Sequence, residues 1–270
     1  MKIGYACLVV GVPDTTMKTT RKANATPERL TELIQHNLAS MENMIAYNIK
    51  HGIKMYRISS DIIPFGSDLE TNQLDWASLF SETLKELGKE IKAHNIRVSM
   101  HPGQYTVLNS LDADVVERAI LDLEYHTQFL DALDVDDSHK IILHIGGVYG
   151  DKEAAKSRFI EVYKRLSDRV RARLIIENDH SLYTISDVLE VSEATGAPNK
   201  IKKWLCRFLQ ELQSHFLKTY YNLLFTDFLY SFHSAFNNSR IESFCFKERS
   251  RCSTSVTRST KRENLFARIQ

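Results

Sequence analysis

Three apolar runs in this 270-residue chain each end on a side chain able to bind a metal ion, and their spacing fixes the kind of sheet they can build. Arg97-Val98-Ser99-Met100 runs into His101-Pro102-Gly103, Ile141-Ile142-Leu143 into His144-Ile145-Gly146-Gly147, and Leu174-Ile175-Ile176 into Glu177-Asn178-Asp179. His101 and His144 are 43 residues apart and His144 and Glu177 are 33 apart, so each step holds about one strand-helix-strand unit. Parallel neighbours would bring the three side chains to one end of a sheet, where parallel α/β folds place their chemistry.

Helical spacing fills the intervals. Thr26-Pro27 opens a helix whose apolar stripe runs through Leu30, Leu33, Ile34, Leu38, Met41, Ile45 and Ile49, before Gly52. Further helices are expected over Asp75–His94, Asp112–Leu133, Lys152–Leu166 and Thr184–Glu193. Strands are expected over Lys2–Ala6, Ile53–Ile58, the run into His101, Lys140–Ile145 and Arg173–Glu177. Regular β-then-α repetition implies an α/β fold with a parallel sheet. The loop over Val9–Thr26 exceeds a mere connector and is a candidate binding loop.

The pattern stops at Pro198. All ten glycines and all five prolines lie at or before it, whereas nine of the thirteen phenylalanines lie after it. Charge divides at the same place: residues 1–198 carry 22 basic against 29 acidic side chains, and residues 199–270 carry 13 against 5. Three further strand-helix units would need about 90 residues and turns that Gly and Pro normally supply. Residues 1–198 therefore read as about five units of a barrel, and residues 199–270 as an atypical tail. The abruptness fits a translation that leaves its reading frame there.

Each candidate has a plain reading beside its functional one. His101 alone fits a capped loop histidine, His144 a strand-end histidine bonded to backbone, and Glu177 a carboxylate paired with arginine. A carboxylate ending an apolar strand is costly to bury without a partner, and a divalent cation compensates it. Two imidazoles and one carboxylate suit Mn²⁺ or Zn²⁺. Gln104 and Tyr105 fill loop space or, beside a metal, offer a ring that stacks on a splayed base. Arg57, at the end of the second strand with Ser59-Ser60, suits a phosphate. Asn178 and Asp179 cap a turn or orient Glu177.

These residues in this order are similar to the UV damage endonuclease family. The resemblance rests on Tyr5, Tyr56-Arg57-Ile58-Ser59-Ser60, His101-Pro102-Gly103-Gln104-Tyr105, His144-Ile145-Gly146-Gly147 with Tyr149-Gly150, and Glu177-Asn178-Asp179. It covers about residues 1–198 and implies a TIM (β/α)8-type barrel that nicks double-stranded DNA immediately 5′ to UV photoproducts. It also implies His101, His144 and Glu177 as ligands of a divalent metal, Mn²⁺ foremost, with Zn²⁺ or Mg²⁺ as alternatives. Tyr5, Gln104 and Tyr105 become the residues that probe damaged DNA, with Arg57 beside them. The family's later motifs, an Asp followed by a His pair, a Lys-x-His, a His-x-Asp and a Glu-Ala-Lys, are absent. An inactive fragment of such an enzyme, or a sugar-isomerase-like metal-dependent barrel, are the alternatives.

No window approaches the ~18 apolar residues of a membrane span. The start MKIGYACLVV lacks a signal-peptide pattern, and four cysteines form no CxxC. A cytoplasmic enzyme is expected, with no membrane and no protein partner.

Overall fold

The structure is a computed structural model in which residues 4–179 and 181–198 are described. The tail beyond Pro198 lies outside the described residues. Five strands form one sheet in the order β1 (Gly4–Ala6), β2 (Met55–Ile58), β3 (Arg97–Met100), β4 (Lys140–His144) and β5 (Leu174–Glu177). Every neighbouring pair is parallel. The crossovers carry α1 (Pro27–Lys50), α2 (Trp76–Leu79), α3 (Ser81–Ala93), α4 (Ala113–Ala132), α5 (Lys152–Arg165) and α6 (Asp168–Arg173), and α7 (Ile185–Thr195) follows β5. This is the expected α/β barrel architecture, carried through five strand-helix units.

Local chemistry sets the helix ends. The Thr26 side chain accepts the Arg29 N–H, with Pro27 in the first turn of α1. A reciprocal cap between Thr184 and Asp187 starts α7, and Gly196 ends it at φ 73°. The core lies between the helices and one face of the sheet. Leu33, Ile34, Met41 and Ile45 of α1, Leu84 and Ile91 of α3 and Phe129 of α4 pack there, with Val98, Met100, Ile141 and Ile176 from the strands.

The period-two alternation does the rest. Since Tyr56, Ile58, Val98 and Met100 face the helices, Arg57, Ser99 and the position of His101 fall on the opposite, inner face. The register pairs His144 with Glu177 across β4 and β5 on that same face.

Two expected elements differ. The helix expected over Asp75–His94 is two helices, because Asp75 caps a single short turn and Phe80 leaves helical geometry before Ser81. Arg173, expected to open a strand, is instead the last residue of α6, a helix capped by Ser167. Arg173 is 6 % exposed, and the Asp131 carboxylate and the carbonyls of Val135, Asp136 and His139 accept its guanidinium protons. A buried charge needs that many partners, and the ordered turn of α6 holds it in place.

The long loop after β1 is tied down by α1. Buried Asn37 accepts the Lys18 N–H at 2.8 Å and donates to the carbonyls of Lys18 and Ile62. At the other end of the sheet, Ile176 donates its N–H to the Pro198 carbonyl at 3.2 Å. The chain thus returns to the side of β5 away from β4, where a sixth strand would begin.

Candidate metal centre

His101, His144 and Glu177 meet at the carboxyl ends of β3, β4 and β5, each contributing a ligand-type atom within 4.8 Å of the others. The imidazole rings are 5.1 Å apart, and His101 Nε2 lies 3.8 Å from Glu177 Oε2. Backbone carbonyls select the tautomers. His101 Nδ1–H donates to the Pro102 carbonyl at 2.9 Å, and His144 Nδ1–H donates to the Glu177 carbonyl at 3.2 Å. A carbonyl cannot donate, so both protons sit on Nδ1 and both Nε2 lone pairs are left for a ligand. Burial pushes the His101 ring below the ordinary imidazole range, and Arg57 and His144 push it the same way; the Pro102 carbonyl and Glu177 oppose them. Two bare Nε2 atoms beside a carboxylate are a donor set that suits a divalent cation, and these residues fit one.

The loop after His101 carries the two candidate probes. Gln104 is exposed, and Tyr105 is 64 % exposed with its ring folded back over Gly103. A Cβ on Gly103 would lie 2.3 Å from that ring, so glycine is what allows the tyrosine to brace against the backbone. Gly146, in the loop after β4, has φ 112°, and a Cβ there would meet Asn109 Oδ1 at 2.4 Å. Asn109 in turn donates to the Gly147 carbonyl at 2.7 Å, which joins the two loops. Asp179 closes a turn beyond Glu177: partial burial disfavours its anion, but the N–H groups of Leu182, Ser181 and Tyr183 outweigh this and hold the carboxyl below its usual range.

Arg57 is on the inner face, close enough to oppose a proton on His101. Tyr5 is elsewhere. Its ring lies 5.2 Å from that of Tyr56 on the side facing α1, and burial pushes its hydroxyl up to about 12. The structure thus gathers His101, His144, Glu177 and Arg57, sets Gln104 and Tyr105 beside them, and keeps Tyr5 apart.

One group was missed in the sequence. Asp122, Tyr125 and His126 of α4 are buried beneath the loop: Asp122 accepts the Thr106 hydroxyl, Tyr125 donates to the Ser60 carbonyl, and His126 bonds the Asp122 carbonyl and the Ser60 hydroxyl. Polar side chains four residues apart within an apolar helix stripe were the available signal.

Comparison with known proteins places the chain in a family. The family described as UV-endonuclease UvdE matches residues 1–202. A UV DNA damage endonuclease of Clostridium perfringens (strain 13 / Type A) is 44% identical over 198 residues, covering 73% of this chain and 48% of the relative. One from Bacillus cereus (strain G9842) is 36% identical over 171 residues, 63% of this chain and 54% of the relative. The chain therefore spans about half the length of these relatives. The solved structure titled "Crystal Structure of SacUVDE" is similar at a TM-score of 0.71 with 36% identity, covering 74% of this chain and 68% of that one. With a family match that takes in every strand and the whole His-His-Glu cluster, the chain belongs to the UV-endonuclease UvdE family.

Proposed function

We propose that residues 1–198 are the N-terminal part of a cytoplasmic DNA repair endonuclease, a metal-dependent barrel that nicks double-stranded DNA 5′ to UV photoproducts. The observation that carries this reading is the convergence of His101, His144 and Glu177 beside an exposed Tyr105 on one rim of the sheet. His101 and His144 would hold a divalent cation through Nε2 and Glu177 through a carboxylate oxygen, with Mn²⁺ preferred over Zn²⁺ or Mg²⁺. Bound there, such an ion supplies Lewis acidity that offsets charge building on a scissile phosphate. Arg57 holds a phosphate against the inner face. Tyr105 and Gln104 enter the space left by a damaged base pair, which unstacks at less than the few kcal/mol an intact one costs. Tyr5 is half-buried with its ring against Tyr56, and a DNA contact by it requires its ring to leave Tyr56.

Nicking of UV-irradiated plasmid in Mn²⁺ tests the reading. A version whose reading frame is restored after Pro198 is expected to incise 5′ to photoproducts, and the 1–270 chain far more slowly, because the later ligand motifs are missing. In the restored version Tyr105→Ala lowers the preference for damaged over intact DNA more than it lowers metal content. Incision of intact and irradiated plasmid at equal rates by the restored version would remove the damage-specific reading.

A further inference from the structure

Beneath the His101–Thr106 loop, buried polar groups connect its two ends. At the first end the His101 carbonyl accepts the Ser60 hydroxyl at 2.7 Å. Ser60 Oγ is also 3.0 Å from His126 Nε2. His126 Nδ1–H donates to the Asp122 carbonyl at 2.6 Å, and its ring lies 3.7 Å from the Asp122 carboxylate. At the second end Asp122 Oδ2 accepts the Thr106 hydroxyl at 2.6 Å. His126 is 0% exposed, Asp122 and Thr106 3%. Tyr125 locks the same serine from the side, donating to the Ser60 carbonyl at 2.8 Å.

Burial keeps the His126 ring below its ordinary value despite the Asp122 carboxylate, so the ring is neutral with its proton on Nδ1. Its bare Nε2 and the His101 carbonyl then share the Ser60 hydroxyl proton. Every link has one donor and at least one acceptor; Thr106, Asp122 and His126 are buried and Ser60 is partly buried. A buried chain of this kind has few alternative arrangements, because breaking any link strands a polar group at a cost of about 1–3 kcal/mol.

We propose that Ser60, His126, Asp122 and Thr106 form a positioning network that sets the backbone of His101 and the Gln104–Tyr105 turn together, so that the metal ligand and the damage probe are placed as one unit. The network touches neither the ligand atoms nor the exposed probe side chains; it acts through the loop. The coupling of the two ends rests on geometry alone, and its meaning for DNA repair rests on the function proposed above.

The test uses the full 1–270 chain with Ser60→Ala, Thr106→Val and Thr106→Ser. Amide hydrogen exchange over residues 101–106 is measured in metal-free protein, and Mn²⁺ affinity separately. Loss of one link is expected to speed exchange at the far end of the loop by several-fold to about tenfold, near Thr106 for Ser60→Ala and near Gly103 for Thr106→Val. Thr106→Val, although remote from every ligand atom, is also expected to weaken Mn²⁺ binding about tenfold. Thr106→Ser restores both. Exchange that changes only at the substituted end overturns the inference, as does unchanged Mn²⁺ affinity in Thr106→Val when the parent chain binds the ion. A parent chain without Mn²⁺ affinity overturns the metal reading instead and leaves the exchange comparison decisive.

Discussion

At His101 the backbone decides what the imidazole can do. The Pro102 carbonyl takes the Nδ1 proton and burial disfavours a second one, so the ring meets a cation as a neutral Nε2 donor. Mn²⁺ affinity should hold through neutral pH and be lost only below the ordinary imidazole value of about 6.5, where protons begin to compete. His144→Ala should abolish binding measured by calorimetry, and unchanged binding would remove His144 from the ligand set. His126 carries a separate prediction about stability. Its ring titrates at about 6.5 in the unfolded chain but lower in the fold. Between those values the unfolded state holds the extra proton, so stability falls as pH drops through that window. The urea midpoint in EDTA should be lower at pH 5.5 than at 7.5, and His126→Gln should flatten the slope while lowering both midpoints. An unchanged slope in that variant would mean His126 does not carry the effect.

Between elements, close backbone approach fixes what the helices tolerate. Gly88 of α3 sits against the end of α4, where an added Cβ would lie 1.6 Å from the Leu133 carbonyl oxygen. Replacing an exposed helical glycine by alanine usually stabilises by about 1 kcal/mol. Here backbone must move, and overpacking costs about 1–3 kcal/mol or more, so Gly88→Ala should lower the melting temperature. A rise would show that α3 and α4 slide apart freely. The same scale explains what the sequence disclosed. The Thr26-Pro27 start, the Gly196 stop and the five strand ends were readable because each depends on residues within a few positions. The break at Phe80 and the turn of α6 were not, since one follows from how Asp75 caps a short turn and the other from the contacts that bury Arg173. At the site, three ligand candidates were legible from type and spacing. The turn of Tyr5 toward α1, away from the inner face, and the Ser60–His126 link depend on packing between elements, which no local pattern records.

For the whole molecule, the decisive fact is a parallel sheet of five strands among the described residues, in a chain whose match spans about half the length of its relatives. Parallel sheets are stable when both faces are covered, and a barrel achieves this by joining its first and last strands. Among the described residues, helices cover one face, and on the edge of β5 away from β4 the Ile176 N–H donates to the Pro198 carbonyl. Among the described residues β1 pairs on one side only, with β2. Unpaired strand edges are templates for further strands, and the most accessible template in solution is a second copy of the same chain. The purified 1–270 chain should therefore elute as concentration-dependent oligomers and melt over a broad range. Supplying the remaining half of a related barrel as a separate polypeptide should shift it toward a discrete complex, because that half offers strands and an apolar face of matching geometry. Elution as a monomer with one sharp melting transition would show instead that residues 199–270 cover the edges and the inner face themselves, and the reading of that segment as an out-of-frame tail would fall with it.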